Sequence, residues 1–162
     1  MGWVDLFIRT EYKEIIIESL KYCIANKGLN VHAYVIMTIH IHLIVSTKDG
    51  VRLSSLIRDF KTHTSKKLLL TIKHIIESRR EWILNKFRFE ANRQKRGKEF
   101  KLRQDGFHPI EILSAEMATQ KLDDIHQNPV NEGIVYETIY YIYSSASHYA
   151  GKSSKRNIEF LI

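Results

Sequence analysis

An apolar, β-branched run at residues 35–45 restricts the fold of this chain most, because two histidines, His40 and His42, interrupt it. Alternate side chains of a β-strand point to one face, so both imidazoles leave the same side, about 7 Å apart at the backbone. Two imidazoles at that separation can share a divalent cation or contact a phosphate. The alternative is a pair of core histidines, each hydrogen-bonded through one ring nitrogen, and the spacing alone leaves both interpretations open.

The length and composition indicate a single domain. A chain of 162 residues is long enough for one core and short for two, and 44% hydrophobic with 27% charged residues is typical of a globular soluble protein. No apolar run approaches about 18 residues, so no membrane span is expected. One cysteine, Cys23, and the lack of a signal-peptide pattern favour a cytoplasmic location.

The positive charge is concentrated in about a third of the chain. The net charge is +7, yet residues 58–103 contain 15 Lys or Arg and 5 Asp or Glu, which leaves the remainder at −3. Such segregation is typical of a protein with a polyanionic partner, although a solvated lysine-rich helix face is the simpler alternative. Aromatic residues interleave the basic ones, which favours a single-stranded nucleic acid: Phe60, Trp82, Phe87, Phe89 and Phe100. The candidate phosphate contacts are Arg58, Lys61, Lys66, Lys67, Arg79 and Arg80.

Hydrophobic periodicity, caps and turn residues predict a series of short elements. They are a strand at residues 3–9, a helix from Thr10 to Gly28, β-branched runs at 31–38 and 40–46, a helix over 53–76, a polar loop at 93–98, and a helix over 115–128 that Pro129 stops. The two β-branched runs are either two strands or one strand bent near Thr38. This order favours an α+β fold, a ferredoxin-like antiparallel sheet with helices packed on it.

Two separated segments, 33–44 and 121–135, resemble one family, and residues 141–146 follow them at the matching distance. They are similar to the small HUH single-strand transposases, which comprise insertion-sequence enzymes and REP-associated tyrosine transposases. Residues 2–7 and 78–82 resemble a bacterial branch, so the likeness covers nearly the whole chain. It implies one HUH transposase-like domain over residues 1–162, usually a homodimer. Such a domain nicks and rejoins single-stranded DNA hairpins during DNA transposition.

The same resemblance implies roles for particular residues. His40 and His42 correspond to the pair that holds Mg²⁺ or Mn²⁺, and Asn128 corresponds to the polar ligand that completes the metal shell. One helical turn before that ligand the family has a tyrosine, which attacks a DNA phosphate and becomes linked to its 5′ end. Asp124 occupies the position of this nucleophile. The chain is therefore expected to retain the fold and the affinity for DNA while nicking is impaired.

A second departure lies just before the histidines. The family has proline or serine and then asparagine there, whereas this chain has Thr38 and Ile39. An asparagine amide can support a neighbouring metal ligand or the turn, and an isoleucine side chain cannot. Both departures affect the same site.

Several alternatives remain open from the sequence. Asp124 is either a third ligand in a two-histidine, one-carboxylate set or a solvent-facing carboxylate beside Asp123. Gln127 is an alternative to Asn128 as the amide ligand. A substitute nucleophile among four later tyrosines is a further alternative: Tyr136, Tyr140, Tyr141 and Tyr143. The rival functions are a non-catalytic DNA- or RNA-binding module, a weak metal-dependent nuclease and a dimerising scaffold.

Overall fold

The computed structural model of the chain describes residues 5–93 and 109–152. The helices are α1 (Thr10–Lys27), α2 (Leu53–His74), α3 (Arg80–Arg93), α4 (Ala115–Asn131) and α5 (Ala146–Tyr149), and the strands are β1 (Leu29–Ile36) and β2 (Ile41–Thr47). Short 3₁₀ turns occupy Leu6–Ile8 and Thr138–Tyr140. The α+β class, with helices packed on an antiparallel sheet, is confirmed.

The two β-branched runs form a hairpin rather than one bent strand. Its tight connection is closed by the Met37 amide, which donates to the His40 carbonyl at 2.9 Å. The other edge of β1 is covered by residues 143–145, because the Ile36 amide donates to Tyr143 and the Ser145 amide donates to Tyr34. β1 is therefore internal, and its side chains from Ala33 to Ile36 are buried.

Helices enclose this hairpin and form one core. α1 packs on α2 and β1, and α4 packs against both strands. Tyr12, Ile16 and Leu20 on α1 meet the buried side chains of β1, and each such residue contributes about 1.5–3 kcal/mol by burial. α1 ends at Gly28, whose φ of 71° is left-handed, and a side chain there would also crowd Val51 at 3.1 Å.

Three expectations from the sequence need correction. The predicted strand at residues 3–9 is wrong over its described part, where Leu6–Ile8 form a 3₁₀ turn; the buried Leu6 and Phe7 mimicked a strand pattern. Pro129 does not stop α4: the helix continues through it to Asn131 although the proline has no N–H to donate to the Ile125 carbonyl, and Gly133, with a left-handed φ of 70°, follows its end. α3 was not predicted, and it includes Arg93, the first residue of the expected polar loop; residues 94–98 of that loop lie outside the described residues.

A buried carboxylate joins α1 to the connection between α2 and α3. The Glu77 side chain is 2% exposed; it pairs with Arg9 Nε at 2.8 Å and accepts from the Tyr12 hydroxyl at 3.2 Å and the Arg79 amide at 3.1 Å. Burial alone would raise the pKa of Glu77, but these donors and the charge of Arg9 outweigh it and lower the pKa. The carboxylate is therefore ionised in the folded protein at neutral pH.

Removing this carboxylate should destabilise the protein strongly. We expect Glu77→Ala to lower the free energy of unfolding by about 3 kcal/mol, because Arg9 and Tyr12 lose a buried partner. Glu18→Ala, which removes only the exposed pair with Lys21, should cost less than about 1 kcal/mol.

The stabilisation by Glu77 should also depend on pH. Because the pKa of Glu77 is depressed in the folded protein, the carboxylate contributes fully to the free energy of unfolding above the ordinary pKa of 4.5. This contribution is lost in acid, as the pH falls through the lower pKa of the folded state. Urea denaturation at several pH values measures this, and an equal cost for both variants at pH 7 would contradict it.

Candidate metal centre and nucleic-acid interface

The two histidines meet where the hairpin turns into β2. His40 lies just before the strand and His42 is its second residue, and their ring centroids are 4.6 Å apart in an edge-on arrangement. Within residues 5–93 and 109–152, no hydrogen bond joins either ring to the protein. The pair therefore differs from two hydrogen-bonded core histidines, and its ring nitrogens are open to a ligand.

The electrostatic surroundings keep His42 neutral at pH 7. Burial lowers the pKa of His42, the neighbouring His40 lowers it further, and the carboxylate of Glu132 acts in the opposite direction. A metal needs the deprotonated imidazole. The environment thus favours the form of the ring that binds a cation, while Glu132 adds negative charge nearby.

α4 is held against the strands by a buried polar contact. His126 Nε2 lies 2.7 Å from the Ser145 hydroxyl, and that hydroxyl also accepts from the Tyr34 amide of β1 at 3.1 Å. Burial lowers the pKa of His126, and Asp123 opposes this shift. The neutral imidazole fixes α4 relative to β1. This structural role of His126 was not predicted from the sequence.

Asp124 and Asn128 occupy successive turns of α4. The Asp124 side chain is 56% exposed and pairs with Lys121 Nζ at 3.2 Å. Asn128 donates through Nδ2 to the Asp124 carbonyl at 2.9 Å, and its amide oxygen has no hydrogen-bond donor within the described residues. One turn later, Glu132 is close enough to His42 to influence its pKa. α4 itself packs against both strands of the hairpin.

Asp124 is not grouped with the two histidines among the described residues. In the part of the chain that the structure describes, no three His, Cys, Asp or Glu side chains are grouped to hold a metal. Asp124 instead fits the solvent-facing alternative, as part of an exposed ion pair. The set of two imidazoles and an amide oxygen expected from the sequence stays a prediction: the Asn128 side chain is partly buried, and Gln127, the alternative amide, is an exposed residue of the same helix.

The later tyrosines are poorly suited to replace the nucleophile. The Tyr141 hydroxyl donates to the Ile36 carbonyl at 2.7 Å and lies 3.2 Å from Lys13 Nζ. Burial, followed by the charges of Tyr143 and Glu132, raises the pKa of Tyr141 to about 12. Tyr143 is buried as well, whereas Tyr136 and Tyr140 are exposed and lie after α4. Lys13 was not singled out in the sequence, because only tertiary packing places its ammonium over the Tyr143 ring, 4.6 Å from the centroid.

The predicted phosphate contacts divide into two groups. Arg58, Lys66 and Lys67 are exposed on α2, although Arg58 also contacts Asp59 at 3.1 Å, and Lys61 is partly buried. Two arginines are engaged within the protein. Arg80 donates to the carbonyls of Ile72 and Ile75 at the end of α2, and Arg79 lies beside Glu77 at 3.7 Å.

The aromatic residues of the basic region also divide by exposure. Phe60 and Phe87 are buried in the core. Trp82 and Phe89 on α3 are 46% and 64% exposed, and Phe100 lies outside the described residues. Two of the five aromatic residues are therefore available at the surface.

Comparison with known proteins identifies the family. Residues 5–92, a little over half of the chain, match the family described as Transposase IS200 like, and the chain belongs to this family. The matched segment includes His40 and His42 but ends before Asp124 and Asn128. Searches of curated proteins and of solved structures give no significant match. No helix among the described residues is long and apolar enough to span a membrane.

Proposed function

We propose that this transposase-family protein binds single-stranded DNA hairpins and holds a divalent cation with His40, His42 and the amide of Asn128. We further propose that it nicks DNA poorly, because Asp124 occupies the position of the nucleophilic tyrosine. One observation carries the proposal: two imidazoles in edge contact, 4.6 Å between centroids, without hydrogen-bond partners in the described part of the chain. α4 packs against the strand that carries them.

The donor set fits Mg²⁺ or Mn²⁺ when waters and phosphate oxygens fill the remaining positions. Labile octahedral ions accept imidazole nitrogen together with amide, water and phosphate oxygen. A bound cation would polarise a phosphoryl oxygen and stabilise the charge that develops during attack. The chain's own contribution is to keep His42 neutral and to position α4 through the contact between His126 and Ser145.

The Asp124 carboxylate is a poor substitute for a tyrosine. Its side chain is several ångströms shorter than a phenol, and Lys121 holds it at 3.2 Å on the helix surface. A tyrosine ester conserves the free energy of the phosphodiester, so strands can be rejoined, whereas attack by a carboxylate would displace the DNA oxygen to give an acyl phosphate, a mixed anhydride that water hydrolyses. We therefore infer retained recognition of DNA with weak strand transfer. We also propose a homodimer, which the resemblance to the HUH transposases implies.

The rival functions have less support. An RNA-binding module of this class stacks bases on aromatic residues of its sheet, but Tyr34 is the one Phe, Tyr or Trp in the two hairpin strands and it is buried. A metal-dependent nuclease normally needs several carboxylates at its metal, and no such group with the histidines exists among the described residues.

A binding assay with labelled hairpins tests the proposal. We expect affinity for a single-stranded hairpin to fall steeply with salt, because Lys and Arg displace counterions from phosphates. Changing Arg58, Lys66 and Lys67 to Ala should reduce the slope of log affinity against log salt by about 0.7–0.9 per cation that contacts a phosphate. Lys48→Ala, an exposed lysine outside the basic segment, serves as the control. A flat salt response, or a covalent 5′ adduct formed by the unaltered chain, would overturn the proposal.

A further inference from the structure

One face of α3 exposes two large aromatic rings to solvent. Trp82 and Phe89 are 46% and 64% exposed, while Ile83, Leu84 and Phe87 on the opposite face are buried in the core. Seven residues separate the two rings, so they lie on the same side of the helix, about 10 Å apart along its axis. Exposing two such rings on one short helix costs free energy in water, which points to a partner that covers them.

The neighbours of these rings are polar and cationic. Lys86 Nζ lies 5.7 Å from the centroid of the Trp82 ring, and Arg88 donates to the Asn85 side-chain oxygen at 3.0 Å. Between Arg80 and Asn92, the exposed positions of α3 contain amides, one acid and one arginine besides the two rings, and no aliphatic residue: Glu81, Trp82, Asn85, Arg88, Phe89 and Asn92. We call Trp82, Asn85, Lys86 and Phe89 the α3 aromatic face.

We propose that the α3 aromatic face binds unpaired nucleotides of a DNA strand, with one base stacked on Trp82 and another on Phe89. This inference rests on the proposed function and names the part of the DNA that contacts this surface, namely a single-stranded segment that flanks the hairpin. Every base offers a π-face to an aromatic ring, and a lysine beside the ring places positive charge where the phosphate follows.

The composition of the face favours nucleotides over a protein helix. A helix-binding groove presents aliphatic side chains at successive turns, and the exposed positions of α3 have none. Amides and cations between two rings are instead the groups that bind base edges and phosphates.

Hairpins with and without a single-stranded thymidine tail test the assignment. We expect the double variant Trp82→Ala, Phe89→Ala to bind the tailed hairpin at least tenfold more weakly and the tailless hairpin with unchanged affinity. Tyr136→Ala removes an aromatic side chain that is 98% exposed but lies outside α3, and it should leave both affinities unchanged. Trp82→Phe, Phe89→Trp keeps two rings and should restore binding to the tailed hairpin.

The tryptophan signal gives a second, direct readout. The chain has two tryptophans, Trp3 and Trp82, so in a Trp3→Phe variant the fluorescence comes from Trp82 alone, and base stacking should quench it when oligothymidine is added. Unchanged affinity for the tail in the double variant would overturn the inference. If the double variant changed its oligomeric state in sedimentation experiments while its affinity for DNA stayed the same, the inference would also be overturned, and the face would be assigned to contact between copies of this chain. If the unaltered protein bound neither hairpin, the proposed function itself would fail.

Discussion

Asp124→Tyr should convert this chain from a hairpin binder into one that becomes covalently attached to DNA. Position 124 lies one helical turn before Asn128 on α4, and its side chain is 56% exposed, so a phenol has room there. We expect a 5′-phosphotyrosyl adduct to form about 10³-fold or more faster than any adduct of the unaltered chain, because restoring an absent nucleophile has effects of this order. Retention of labelled hairpin DNA on the protein after denaturation, in the presence of Mn²⁺, measures the adduct.

One control variant and one added substitution separate nucleophilic attack from general changes in DNA binding. Asp124→Phe supplies the ring without the hydroxyl and should form no adduct. Adding Ile39→Asn to Asp124→Tyr should raise the rate by about tenfold, since a restored side chain next to metal ligands typically acts at this level. If Asp124→Tyr binds DNA and Mn²⁺ normally and still forms no adduct, the assignment of position 124 is wrong.

Replacing either histidine should abolish cation binding. His40→Ala and His42→Ala each remove one of two adjacent imidazoles, and we expect the affinity for Mn²⁺ to fall by about 100-fold or more, because a lost ligand costs more than a lost supporting contact. Asn128→Ala should have a smaller effect, and Asp124→Ala should have none, since its carboxylate pairs with Lys121. Calorimetric titration with Mn²⁺ measures all four variants.

A distant histidine provides the control for that titration. His63 is exposed on α2, and His63→Ala should leave the affinity for Mn²⁺ unchanged. Circular dichroism should show the same helix content in every variant, because His40 and His42 make no hydrogen bonds within the described residues. Equal Mn²⁺ affinity in the histidine variants and the unaltered chain would exclude this pair as the binding site.

Local patterns were sufficient for much of the fold, whereas the roles of Asp124 and Asn128 came from the family resemblance and stay predictions. The β-branched runs around His40 and His42, the capped start of α4 at Ser114 and the end of α1 at Gly28 all appear where the sequence indicated. These features depend on side-chain alternation and on capping groups, so residues close together in the sequence are enough to predict them. The segregation of positive charge is likewise a property of the sequence alone.

Contacts between distant residues were not predictable. The buried residues of α3, Ile83, Leu84 and Phe87, follow helical spacing, but the apolar Trp82 and Phe89 on its exposed side obscure that pattern in the sequence. The 3₁₀ turn at Leu6–Ile8 is held by the Phe7 amide, which donates to the Thr38 carbonyl. The division of the six candidate cations, with Arg79 and Arg80 engaged within the protein, depends on carbonyls and a carboxylate contributed by α2 and its connection. Sequence spacing contains no information about which arginine meets which carbonyl.

The amino-acid order was enough to place two imidazoles on one side of a strand and an aspartate one helical turn before an amide, because strand and helix periods are local properties. The tertiary structure alone brings that helix against the hairpin, where His126 and Ser145 link it to β1. It also leaves Trp82 and Phe89 at the surface while Phe60 and Phe87 are buried. These outcomes depend on how helices and strands pack, and packing is decided by the burial of many side chains at once.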